Sequence, residues 1–90
     1  MRPQLEIHLR DMKLMGNDGC NQFFGSIKTL SADSISFGTI AGTRKFCQDM
    51  NLSDRFNLKM SQVSHYKINN LALHFFDLEG EEVLVFRKID

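Results

Sequence analysis

Short runs of alternating polar and apolar residues, cut by glycine, asparagine and aspartate, limit what this chain can fold into. Leu5, Ile7 and Leu9 alternate with Gln4, Glu6, His8 and Arg10. That period of two predicts a half-buried strand. Pro3 stands just before it, where a missing N–H is tolerated. Arg10-Asp11 reads as a turn, after which Met12, Leu14 and Gly16 alternate with Lys13, Met15 and Asn17. These two strands predict a first hairpin. Asn17-Asp18-Gly19 is turn chemistry, because all three residue types accept left-handed backbone angles. Further on, 20–25 reads as a connection, 26–30 as a strand, 31–33 as a turn and 34–37 as a short strand ending at Gly38. The polar, aperiodic stretch 39–48 reads as an ordered loop.

One helix interrupts the strands. Leu52, Phe56, Met60 and Val63 fall at helical spacing, with Ser53, Arg55, Asn57 and Lys59 between them. The pattern predicts a helix over 52–62, capped by Asn51 with Asp54 three residues on. Three more strands close the chain. Residues 64–68 alternate, and Asn69-Asn70 predicts a tight turn. Leu71, Leu73 and Phe75 then face one way and Ala72, His74 and Phe76 the other. Asp77-Leu78-Glu79-Gly80 is the last turn before a strand through 83–86, ending near Ile89. Turn signals at roughly 8–12-residue intervals fit antiparallel architecture. About seven short strands and one helix predict an α+β fold: a strongly curved antiparallel sheet or partly open barrel, with the helix packed on it. The 90 residues read as one domain.

Eleven basic and eleven acidic residues cancel. No net field draws nucleic acid or anionic lipid, so nucleic-acid binding is disfavoured. No apolar run is long enough to span a bilayer. Met1-Arg2-Pro3-Gln4 leads straight into alternating residues with no apolar leader. On its residues alone the chain is therefore cytoplasmic or parted from its leader.

The segment 16–47 holds both cysteines and five of the six glycines. Two cysteines permit one bridge or two buried free thiols. A bridge would close a loop of about 28 residues and contribute roughly 3.5 kcal/mol through chain entropy. The glycines match neither a dinucleotide fingerprint nor a P-loop. Cys20, Cys47, His8, His65 and His74 are scattered, without the clustered spacing of a zinc site, and the histidines fall at outward strand positions. A Cys–His nucleophile needs a free thiol. Asp77, Glu79, Glu81 and Glu82 read as a solvated hairpin tip. No metal, cofactor or catalytic residue is expected.

Gly19-Cys20-Asn21 with Phe23 and Gly25, then Thr43-Arg44 ahead of Cys47, resembles the META domain family, to which the bacterial heat-inducible protein HslJ belongs. The spacing, the order and the helix after the second cysteine all agree. Lys45 and Gln22 stand where the family more often has Met and Arg. The family usually begins with a further strand bearing a Trp, so the resemblance implies a chain one strand short, with an exposed sheet edge through which copies could pair. It also implies export to the bacterial periplasm or cell surface, often as a lipoprotein, and with that a Cys20–Cys47 bridge. Family members have been associated with heat response, drug tolerance and parasite virulence, and no catalytic residues come with the resemblance.

The resulting expectation is a non-enzymatic envelope module that contacts other envelope proteins. Its motif residues are Gly19, Asn21, Phe23, Gly25, Thr43 and Arg44. Asn21 and Arg44 flank the cysteines; they serve as the loop's internal scaffold, or Arg44 presents its charge to an anionic ligand. The alternative is a carrier of a small apolar molecule, lined by Phe23, Phe24, Phe37, Phe75, Phe76 and Phe86.

Overall fold

The computed structural model describes residues 2–88. Its elements are β1 (Gln4–His8), β2 (Lys13–Asn17), β3 (Gln22–Leu30), β4 (Ile35–Gly42), α1 (Asn51–Ser61), β5 (His65–Asn69), β6 (Ala72–Phe76) and β7 (Glu82–Arg87). The fold is α+β, as the alternation predicts. The strands form two antiparallel sheets, ordered β1-β2-β3-β4 and β5-β6-β7. They do not close into a barrel. They meet at a short seam, where Ser34 bridges His65. Ile35 donates its N–H to the Ser64 carbonyl at 3.1 Å, and Tyr66 donates to Asp33 at 3.0 Å.

The inward residues of both sheets share one core. Leu14, Phe23, Ile27 and Ile35 come from the first sheet, Phe75 from the second, and Phe56 and Met60 from α1. Phe56 joins the layers: its ring lies 5.7 Å from Phe23 on β3 and 6.0 Å from Phe86 on β7. Phe75 stands edge-on to both Phe37 and Phe86, at 5.9 Å from each. Such tilted and edge-to-face pairs add to the burial of the rings themselves. The helix thus covers the space between the two sheets with one aromatic side chain.

Several local expectations give way to longer-range pairing. The connection predicted over 20–25 and the loop over 39–48 are strand in part. Phe23, Phe24 and Gly25 pair with Gly42, Ala41 and Ile40. Glycine and polar residues depress strand propensity locally, and the sheet overrides it. Gly16 shows why a small residue is needed here. A Cβ there would collide with the Gln4 carbonyl and come within 2.8 Å of the Phe23 ring.

Leu9 does not point inward. It is exposed in the β1–β2 turn, which closes through Met12 at φ 54°. The β5–β6 turn is one residue later than predicted. Asn69 pairs with Ala72, leaving Asn70 (φ 51°) and Leu71 (φ 63°) as the turn pair. Both central residues of this type of tight turn need positive φ. The helix cap also moves. Met50 occupies the N-cap position without a side-chain bond, and Asp49 accepts the Asn51 N–H at 2.9 Å. Ile89, the predicted end of the last strand, lies outside the described residues.

Candidate functional site

The turn between β2 and β3 is a hub from which three tethers run. It is built locally first. Asn17 accepts the Gly19 N–H at 2.7 Å, and Gly19 adopts φ 101°. Asp18 Oδ1 then accepts the N–H groups of Cys20 and Asn21 at 2.9 and 2.6 Å. This is the short-range side-chain bonding that makes Asp and Asn turn formers.

The first tether is Asp18 Oδ2, which accepts from Asn57 Nδ2 on α1 at 2.9 Å. The second is Asn21. Its Oδ1 accepts the Thr43 hydroxyl at 2.9 Å and the Lys45 N–H at 2.8 Å, and its Nδ2 donates to the Lys45 carbonyl at 3.0 Å. The third is covalent: Cys20 is bonded to Cys47 across 27 positions. Asp18, Cys20 and Asn21 are all buried. Burial alone raises the Asp18 carboxyl. The hydrogen bonds from Asn21, Asn57 and Cys20 outweigh that and hold it below the ordinary carboxylate range.

The motif residues therefore converge but do different work. Gly19 supplies the left-handed turn angle. Phe23 fills the core. Gly25 packs against Thr39 and Ile40 of β4. Thr43 also returns a bond, its hydroxyl accepting the Gln22 N–H at 3.1 Å. Asn21 is scaffold. Arg44 makes no ion pair among the described residues and is exposed. Of the two readings of this pair, scaffold fits Asn21, whereas the Arg44 side chain stands free. Sequence reasoning missed Asp18 and Asn57. The Asn-Asp-Gly signal marks the turn but not the carboxylate's second bond. Nothing in the helical pattern singles out Asn57.

An open groove of about 220 Å³ lies over this hub. One wall runs from Ile40 to Arg44, the end of β4 and the two residues beyond it. The other is α1 and its approach: Met50, Ser53, Asp54 and Asn57. Beyond the groove, Phe46 projects from the tethered loop and is 92% exposed. Its neighbours on both sides are fixed, Lys45 by Asn21 and Cys47 by the bridge. A larger groove of about 570 Å³ lies at the seam, between Asp33, His65, Lys67 and Phe76. It contains no motif residue, and the Tyr66 hydroxyl beside it donates to the Ser31 carbonyl.

The other candidates are dispersed. Among the described residues no three His, Cys, Asp or Glu side chains gather as a metal site. His8 sits 3.2 Å from Glu6 and His74 3.0 Å from Glu82. His65 and His74 are half-buried rather than solvated, and His74 stacks on Phe76. Asp77 binds its own turn, accepting the Glu81 N–H at 2.9 Å. Of the proposed cavity residues, Phe23 and Phe75 are buried in the core, Phe37 and Phe86 pack against it, and Phe24 faces outward. No helix among the described residues is long and apolar enough to cross a membrane.

The family model of the META domain matches residues 1–90. Comparison with curated proteins and with solved structures returned no match.

Proposed function

Because this chain belongs to the META domain family, we propose that it is a non-catalytic module of the bacterial envelope, acting through protein contacts in stress or drug tolerance. The META domain is not a known catalytic family. The observation that carries the reading is Phe46. A large apolar residue, 92% exposed, stands between two backbone positions fixed by a hydrogen-bonded anchor and a disulfide. An exposed aromatic on a tethered backbone is the kind of residue that anchors an interface, because less of the loop has to be ordered on binding. The buried polar groups of the hub are already bonded to one another, which leaves them little to offer a substrate. The bridge supports a periplasmic or cell-surface location, where disulfides persist.

The test is site-specific photocrosslinking in an envelope extract, with a photoreactive phenylalanine analogue at position 46 or, as a control, at Lys59 on the exposed face of α1. The expected result is a discrete adduct from position 46 alone, competed by excess unlabelled chain but not by the Phe46→Ala chain. No adduct, or the same adducts from both positions, overturns the reading.

A further inference from the structure

The outer edge of β4 is bare where it borders the groove. On one side β4 pairs with β3 along its length. On the other, among the described residues, its backbone meets the second sheet only at the seam near Ser34. The direction of its free groups can be read from one bond. Thr43 donates its N–H to the Gln22 carbonyl at 3.0 Å while the Gln22 N–H turns to the Thr43 hydroxyl at 3.1 Å, so these two residues face each other at a hydrogen-bonded position of the ladder. Antiparallel pairs alternate between bonded and non-bonded. Phe24–Ala41 is then the next bonded pair. The N–H and C=O groups of Ile40 and Gly42 consequently point away from β3. Among the described residues no other backbone group meets them.

Ile40 and Gly42 both line the groove, opposite Met50, Ser53, Asp54 and Asn57. Main-chain donors and acceptors repeating every second residue are matched by another extended backbone. A strand edge facing a helix across an open groove is suited to taking a peptide by strand addition. Arg44 lies at the end of the same wall, exposed and without an ion pair among the described residues. Its planar fork suits a carboxylate.

We infer that the groove binds an extended segment of a partner protein, which adds as a strand to β4 at Ile40–Gly42 and places a carboxylate on Arg44. This rests on the contact-module reading above and names the chemistry of the partner. A second copy of the chain fits less well, because the helix wall stands where the sheet behind its edge strand would have to go. A lone extended segment has no such flank.

The test uses random seven-residue peptides displayed on phage, selected on the oxidised full chain. Selected peptides are expected to carry Asp or Glu, or a free C-terminus, at a fixed position. On binding, the Ile40 and Gly42 amide protons become protected from exchange. N-methylation at alternate peptide positions abolishes binding and at the positions between does not. Arg44→Ala weakens binding at least tenfold, as does replacing the peptide carboxylate by its amide, and the two changes together cost no more than either alone. Selection of no binder, or of binders that leave Ile40 and Gly42 unprotected, overturns strand addition. Protection of those amides by self-association, seen as a dimer in sedimentation without peptide, overturns the assignment to a partner segment. If strand addition fails while position 46 still crosslinks, the broader contact reading stands. If both fail, both are wrong.

Discussion

Asn21 holds Lys45 as a neighbouring strand would: its amide nitrogen donates to the Lys45 carbonyl at 3.0 Å while its amide oxygen accepts the Lys45 N–H at 2.8 Å. One buried side chain thus continues the pairing of β3 and β4 beyond Gly42. Asn21→Ala removes these two bonds and the one to Thr43. A loss of about 2 kcal/mol is expected, read as a lower midpoint in urea denaturation. Asn21→Asp turns the donor into an acceptor facing the Lys45 carbonyl and adds a buried charge, and should cost at least as much as Asn21→Ala.

Asp18 makes stability depend on pH. Its carboxyl is held below the ordinary range, so the folded chain favours the charged form. The stabilisation is fully present above the unfolded carboxylate range and is lost as pH falls through the lower folded value. Acidification below about pH 4 should therefore destabilise the wild type. Asp18→Asn, already weaker at neutral pH because an amide nitrogen faces Asn57, should show a flatter acid limb. Parallel acid limbs in thermal melts of the two proteins would exclude Asp18 as the source.

Leu71 sits at φ 63° with its side chain 72% exposed. A branched residue in that region is strained by about 1–3 kcal/mol, and the side chain gains little burial in return. Leu71→Gly converts the turn to Asn-Gly and should raise stability by about 1 kcal/mol. A higher urea midpoint with an unchanged slope would show it.

Breaking the Cys20–Cys47 bond, by a dithiol reductant or by changing both residues to Ala, should lower stability by roughly 3.5 kcal/mol. For a chain of this size that is a large share of the total. Arg44→Ala and Arg44→Lys should move stability by less than about 0.5 kcal/mol, the usual range for an exposed residue without partners. Denaturation curves for the four proteins separate a covalent support from a side chain free to meet a ligand.

Periodicity is enough for the elements that pack against neighbours close in the chain. The β1–β2 hairpin, α1 and the strands of the second sheet lie within a residue or two of their predicted places. It fails where distant pairing decides. Gln22 to Gly25 and Thr39 to Gly42 carry glycines and polar residues that mark a loop when read alone. They become strand because each completes the other. Leu71 is misplaced by the pattern because the turn recruits a residue whose own preference opposes it. At the site, the Gly-Cys-Asn and Thr-Arg motifs point to the right neighbourhood, and scaffold is one of the two roles they allow Asn21. The bond from Asp18 to Asn57 spans 39 positions, and no local pattern encodes it.

Every strand pairing inside the two sheets joins elements that are consecutive in the chain. Such a meander can form hairpin by hairpin, and chains rich in local contacts fold quickly. The ties that cross longer separations fasten the β2–β3 turn to α1, through Asn57 and Asp18, and to the loop before it, through Cys47 and Cys20. Pairing of β3 with β4 already brings Cys20 and Cys47 near one another, so a bridge that restricts the unfolded chain removes closure entropy ahead of the barrier. The oxidised chain should then refold faster than the reduced one while the two come apart at similar rates, so that the bridge governs how soon the folded form arises rather than how long it lasts.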